Sequence, residues 1–355
     1  MTAHMRLSAV LSEVTRNLVS GTTRAATLAC ILGTAAGCLA LADSTTVRVL
    51  DEQASAFISS GAATRIMQTE HAVDGTSCES ISGYSTVSAA GALAKTDPLE
   101  ITALPATSIP AFIVSPKFLN VLNVTGDGTG VWVSQQLAQT LGVSPGAKLA
   151  TDIGSLTLAG TYPYPDDGRD SRLAYAVLIP ASATALFDEC WAQAWPPTDT
   201  NDTLLRYTAT EAVADTSLQV GRLNMNHGSS FAGTSLFEHR ITRFAYPLTA
   251  LIGIAVGWFA VRARRLEYAA ALHARQPRVA QLLGVLLEVL VWSTLSATLA
   301  IAFTTVNLWV SPAPPGITVM SFAVAPAAVA GALLGATLAL TLVREHHLFR
   351  YFKER

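Results

Sequence analysis

The sequence predicts an α-helical membrane protein with four transmembrane helices and an α+β extracytoplasmic domain inserted between helices 1 and 2. Three observations carry this. Apolar residues make up 50% of the 355-residue chain and charged residues only 14%, against about 25% charged in a soluble domain. The uncharged runs are long: 25–42, 244–261, and 279–343 with Glu288 as its one charge. The acids sit elsewhere, with 20 of the 25 between Asp43 and Arg243. A net charge of −2 also argues against a nucleic-acid partner.

Each segment follows from this pattern. Within 1–24, Leu7, Val10, Leu11, Val14 and Leu18 recur at helical spacing with Arg6, Glu13, Arg16 and Asn17 off that stripe, so the segment reads as an amphipathic helix lying on the membrane surface, in contact with lipid. Residues 25–43 form the first span. Residues 44–243 carry the acids, the Gly/Pro/Asp turns and short alternating runs, and read as the inserted domain. The second span is 244–261 and a charged segment, 262–278, follows. The next apolar block is too long for one crossing, because a span needs about 20 residues. It divides at the Pro-rich loop 307–319 into spans 279–306 and 320–343, and 344–355 is a tail.

Orientation follows from Lys and Arg. Twelve of the 23 lie in 1–24, 262–278 and 344–355, which total 53 residues. Four crossings put these segments on one side, and the rule makes that side the cytoplasm. Both termini are then expected inside the plasma membrane of a bacterial cell, with the large domain outside. Two processing alternatives exist at the N-terminus: cleavage after Ala40-Leu41-Ala42, or a lipoprotein-like Thr34-Ala-Ala-Gly37-Cys38. The 24 residues before the apolar run are long for a signal peptide.

Glu288 lies about ten residues into the third span, roughly 15 Å deep at 1.5 Å per residue. A central carboxylate costs about 2.5–3.5 kcal/mol on insertion scales. It must face protein or be protonated, either as a structural hydrogen-bonding group or paired with a basic group at the mouth of the bundle.

The inserted domain is expected to hold strands near 64–69, 84–93, 108–114, 130–133, 147–151, 155–162 and 174–180. Helices are expected near 48–59, 75–83, 134–141 and 202–214. Cys30 and Cys38 fall in the first span and read as free apolar residues. Cys78 and Cys190 are the two cysteines outside, where disulfides persist, so either they bridge or they remain two thiols. The sequons at Asn123 and Asn201 carry no weight. Chemical motifs are sparse: neither GxxxxGK[ST] nor HExxH occurs, and Gly142-Val-Ser-Pro-Gly146, which has the spacing GxSxG, reads as a turn before a strand. Gly126-Asp-Gly128-Thr-Gly130 lacks the helix of a phosphate loop. Asp166, Asp167 and Asp170 read as a solvated turn, and His346-His347 as an interfacial pair. Neither a catalytic group nor a resident metal or cofactor is expected.

The order of segments, with the loop Val261–Leu290 (VRARRLEYAAALHARQPRVAQLLGVLLEVL), resembles the MacB/FtsX family of ABC-transporter permeases, also called type VII. The loop resembles that family's cytoplasmic coupling segment at Arg264, Arg265, Glu267, Leu272, Arg278 and Glu288. It departs where the family usually has a glycine: Arg275 or Gln276 stands there, and Pro277 supplies the break. Val131–Gly142, Val143–Leu149 and Leu156–Gly160 resemble a strand–helix–strand–strand run of the family's periplasmic core domain. The resemblance implies a permease subunit, not an enzyme, that couples ATP hydrolysis by a separate ATPase to movement outside the membrane. ATP and Mg would be bound by that partner. It further implies a dimer of ATPase subunits beneath, a second permease chain in a homodimer or heterodimer, and an envelope protein or peptide cargo. The alternative is a membrane-anchored sensor or scaffold that presents an outer binding domain and needs no ATPase.

Overall fold

A computed structural model describes residues 6–104, 107–124, 129–210, 218–228, 230–312, 315–345 and Phe352. Several sequence features lie outside the described residues: Gly126 to Gly128, Thr125 of the first sequon, residues 211–214 of the expected helix 202–214, His346-His347, and the tail cations Arg350, Lys353 and Arg355. The elements, in chain order, are α1 (Leu7–Val19), α2 (Ala25–Ser59), β1 (Thr64–Asp74), α3 (Gly75–Ser80), β2 (Val87–Lys95), β3 (Leu99–Glu100), β4 (Ser108–Ile109), β5 (Ala111–Val114), α4 (Phe118–Val121), β6 (Val131–Ser134), α5 (Gln135–Leu141), β7 (Lys148–Thr151), β8 (Gly154–Tyr162), β9 (Val177–Pro180), β10 (Leu186–Ala194), α6 (Asp199–Arg206), β11 (Gln219–Arg222), α7 (Gly233–Glu238), α8 (Ala245–Ala263), α9 (Arg265–His273), α10 (Arg278–Val310), α11 (Pro315–Phe322) and α12 (Val324–Thr341). They form two compact units, Met1–Asp51 with Gly233–Arg355, and Glu52–Ala232.

The first unit is helical. Four of its helical stretches are long and apolar enough to cross a membrane: Ala25–Ser59, Gly233–Ala263, Arg278–Val310 and Gly316–Thr341. Two differ from the sequence reading. The helix expected at 48–59 is no separate element, because α2 continues unbroken for 35 residues. The last stretch is divided at Ala323 into α11 and α12. Pro326 explains the break, since its ring excludes the carbonyl four residues earlier and it lacks an N–H.

Small residues let these helices approach closely, the usual solution where lipid gives no hydrophobic drive between helices. A Cβ on Gly257 would lie 2.1 Å from the Ala332 carbonyl oxygen, and one on Gly335 2.0 Å from that of Ile254. Gly253 meets Ala328 and Gly331 meets Ala250 in the same way. The helices α8 and α12 are thus interlocked backbone to backbone. On the other side of the core, Gly33 and Gly37 of α2 seat Leu299 and Phe303 of α10. Leu32, Val285, Trp292 and Ala332 are buried between them.

The second unit is built on a nine-stranded mixed sheet in the order β11-β1-β10-β2-β5-β9-β6-β8-β7. Pairings are antiparallel except β5 with β9 and β6 with β8. Three strands escaped the sequence reading: β3, which pairs with β4 in a separate two-stranded sheet, and two strands of the nine-stranded sheet. The larger, β10, is an interior strand, paired to both β1 and β2. Its sequence LFDECWAQA lacks clean alternation because Asp188, Glu189 and Gln193 interrupt it. The structure supplies each with partners. The Glu189 carboxylate accepts from Arg172 Nη2 (2.8 Å), Trp191 Nε1 (2.6 Å) and Gln68 Nε2 (3.2 Å). The other missed strand of that sheet is β11, on the edge beside β1.

Local signals explain the short helices. Asp74 Oδ1 accepts from the Thr76 N–H to open α3, and Ser134 Oγ accepts from the Leu137 N–H to open α5, as N-cap residues do. Gly142, at φ 65°, closes α5 in the left-handed conformation. Cys78 of α3 and Cys190 of β10 form a disulfide across a Cα–Cα distance of 5.8 Å, and both are fully buried.

The chain enters this unit at the end of α2 and leaves it after β11, and the two passages are stitched together. Arg169 Nη2 donates to the Ser59 carbonyl (2.7 Å) and Asn224 Nδ2 to that of Ser60 (3.0 Å). The last carbonyls of α2 are therefore capped by side chains, one of them cationic, which also suits the negative end of the helix dipole. Arg169 itself is held by Asp167, and that hydrogen bond keeps the Asp167 carboxyl below its ordinary range. The Leu223 N–H donates to the Thr64 carbonyl (3.0 Å). Phe57, Trp195 and Phe231 pack ring on ring beside this joint.

Candidate functional site

The N-terminal helix, the charged loop and the third apolar helix meet around Glu288. The amphipathic pattern of α1 turns Val10 and Val14 inward against Ala280 of α10, with Leu18 and Leu287 alongside. The two helices meet at Gly284, where a Cβ would lie 3.8 Å from Val10 and 4.0 Å from Val14, an ordinary contact distance. This register brings Asn17 over the fourth position beyond Gly284. Asn17 Nδ2 donates to Glu288 Oε1 at 2.7 Å.

The other carboxylate oxygen is held from the loop. Arg264, just beyond α8, donates Nη1 to Glu288 Oε2 at 2.6 Å and Nε to Glu267 Oε2 at 2.8 Å. Its guanidinium also lies 5.2 Å from the ring centre of Tyr268, within cation–π range. The Arg264 and Glu288 side chains are only 12% and 8% exposed, whereas Glu267 is 58% exposed. One arginine thus joins a buried carboxylate to a surface carboxylate. Gln281 Nε2 donates to the Tyr268 carbonyl at 2.8 Å and fixes α9 against α10. A cavity of about 120 Å³ opens among these groups, bordered by Glu13 and Asn17 of α1, Arg264, Tyr268, Gln281 and Glu288.

The geometry answers the charge problem of Glu288. A buried carboxylate is tolerated when paired and hydrogen-bonded, and here both oxygens have partners. Both readings of Glu288, structural hydrogen bonding and pairing with a basic group, therefore describe it.

The helix α9 ends without a glycine. Arg275 takes the left-handed conformation at φ 63°. The Arg275 N–H donates to Leu272 O and the Gln276 N–H to Ala271 O, each at 3.0 Å. This is the paired hydrogen-bond pattern of a Schellman cap, with arginine at the position that glycine usually fills. Pro277 follows and starts α10.

Of the remaining expected site residues, Leu272 and Arg278 border a second cavity together and the others lie apart. Arg265 is half-buried on α9 and does not line the cavity. Leu272 packs with Ala269 and Val343. Arg278 is exposed at the first turn of α10. Cys78 and Cys190 belong to the sheet unit and cross-link it. Among the described residues no group of three or more His, Cys, Asp and Glu could hold a metal.

Sequence reasoning missed Asn17, Tyr268 and Gln281. Asn17 was legible only as a polar residue beside the apolar stripe; its role needs the register of α1 on α10. It also missed a second buried ion pair. Asp43, the first acid after the apolar run of α2, accepts from Arg240 Nε at 3.0 Å, with side chains 5% and 8% exposed. Arg240 also donates to the Phe237 carbonyl at 2.7 Å. This pair joins α2 to the segment before α8, while the Arg264 pair follows the other end of α8.

The chain matches no protein-family model and no curated protein. Solved structures similar to it include the periplasmic region of MacB from Actinobacillus actinomycetemcomitans, at 10% identity and TM-score 0.36, covering 46% of this chain and 89% of that one. The extracellular domain of the ABC-type transporter YknZ from Gram-positive bacteria is similar at 12% identity and TM-score 0.30, covering 44% of this chain and 99% of that one.

Proposed function

We propose that the chain is the permease subunit of an ABC transporter of MacB/FtsX type, lying in a bacterial plasma membrane with its termini inside and its sheet unit outside. The observation that carries this reading is the bridge through Arg264. It ties an exposed carboxylate of the charged loop, Glu267, to a buried one in the third apolar helix, and through Glu288 to the N-terminal helix. A loop that merely ends two spans has no need of such a link. A loop that receives force from a docked protein does.

In this mechanism a dimer of ATPase subunits, which binds ATP and Mg, docks on α1 and on residues 262–278. Arg264, Arg265, Glu267, Leu272 and Arg278 form the contact. Closure of the ATPases displaces α9, and the Arg264–Glu288–Asn17 network makes α1 and the start of α10 follow. The interlocked α8 and α12 move as one body. The buried Asp43–Arg240 pair carries the displacement across to α2, so both chain connections of the outer domain shift together. A second permease chain pairs with the first, and the output is efflux or the activation of an envelope partner.

Affinity capture of the full chain from native membranes tests the reading. Recovery of an ABC ATPase is expected, and reversing charge at Arg264, Arg265 and Glu267 together should reduce it severalfold. Capture without an ATPase would favour a membrane-anchored sensor or scaffold.

A further inference from the structure

A second cavity in the helical unit, about 180 Å³, lies between the end of α9, the first turns of α10 and the end of α12. Leu272, Leu282, Leu340 and Val343 form its apolar wall, with Arg278 and Thr341 among its polar groups. The sequence fixes its depth. Arg278 and Arg344 are the charges that bound the apolar block 279–343. Leu282 and Leu340 each lie four residues inside those boundaries, about 6 Å along a helix axis. The cavity therefore spans the level at which headgroups give way to acyl chains.

Its polar rim suits an anion. Arg278 is exposed and forms no ion pair among the described residues, so its charge is available. It is also the first residue of α10, a 33-residue helix whose N-cap, Pro277, makes no side-chain cap. A guanidinium beside an apolar wall forms an amphipathic receptor.

We propose that this cavity binds an anionic phospholipid, with the phosphate at Arg278 and the upper acyl carbons against Leu282 and Leu340. Basic pockets between membrane helices recognise lipid headgroups in this way. A side chain of a water-soluble partner fits less well, because the Leu282–Leu340 wall lies on the apolar side of the charged boundary. Arg278 and Leu272 also belong to the proposed ATPase contact, so a lipid here and a docked ATPase would share them; the test contains no ATPase and reads the lipid alone.

The test is native mass spectrometry of the purified full chain in neutral detergent, with phosphatidylglycerol or phosphatidylcholine of identical acyl chains. Phosphatidylglycerol should be retained about fivefold more, the factor corresponding to about 1 kcal/mol for one basic residue at a charged surface. Arg278→Gln should remove that preference. Leu282→Trp, which fills the cavity, should lower retention of both lipids. Soluble glycerol phosphate should not compete. Equal retention of the two lipids, or a preference untouched by Arg278→Gln, overturns the proposal. Competition by glycerol phosphate also overturns it and assigns the site to a soluble phosphate. If Leu282→Trp does not fold, the exposed substitution Arg278→Gln decides alone.

Discussion

Asn17, Arg264 and Glu288 divide one carboxylate between two elements that are far apart in the sequence. Removing a single member leaves a buried polar partner without compensation, which costs about 3–5 kcal/mol for a buried ion pair. Removing both charged members leaves no such orphan. Glu288→Leu alone is therefore expected to destabilise the full chain strongly in denaturant or thermal unfolding in detergent. Arg264→Met with Glu288→Leu should cost much less than the sum of the two single changes. Additive effects in that cycle would mean that the two side chains are energetically independent despite their 2.6 Å contact. The sequence placed the carboxylate and the arginine, because a charge inside an apolar run is conspicuous. It did not pair them, and it gave no prominence to Asn17. A neutral amide beside a helical stripe looks like ordinary surface until the helix is docked.

At the scale of elements, four glycines bring α8 and α12 to backbone contact. The space at each decides what substitution does. A Cβ at Gly257 would sit 2.1 Å from a carbonyl oxygen, so Gly257→Ala must force the helices apart. At Gly284 the nearest atoms lie 3.8 Å away, an ordinary contact. Alanine there also gains helix propensity of about 1 kcal/mol. Thermal unfolding of the full chain should show Gly257→Ala clearly destabilised and Gly284→Ala unchanged or more stable. If the two behave alike, the interlock of α8 with α12 is not what holds those helices together. Composition revealed these helices by their length and lack of charge. Hydrophobic periodicity could not say which pairs touch, since lipid-facing and protein-facing residues are both apolar. The same limit applies in the sheet: β10 carries three polar residues that only its neighbours satisfy, so its sequence resembles a loop.

Across the whole molecule, long-range ties do what local sequence cannot. The Cys78–Cys190 bridge spans 112 residues and cross-links α3 to the interior strand β10. A loop of that length is where a disulfide constrains the unfolded chain most, and losing one typically costs about 2–5 kcal/mol. Cys78→Ser with Cys190→Ser should lower the unfolding midpoint of the sheet unit in the full chain, and reducing agent should shift the wild type equally. No shift in either would leave the bridge without a stabilising role. Nearby, the Arg169 and Asn224 hydrogen bonds to Ser59 and Ser60 join the entry and exit of the same unit.

By itself the sequence determined the apolar helices, the charge-rich insert between them, the basic segments that bound the spans and the candidate cysteine pair. Each of these is written in composition along the chain, because burial in lipid or exposure to water selects residues one at a time. The tertiary structure alone decided which helices interlock, that Arg264 and Asn17 share Glu288, that Asp43 meets Arg240, and that β10 lies inside the sheet between β1 and β2. These depend on the register between segments separated by tens to hundreds of residues. Register is set by the fit of whole surfaces, which no single stretch of sequence contains.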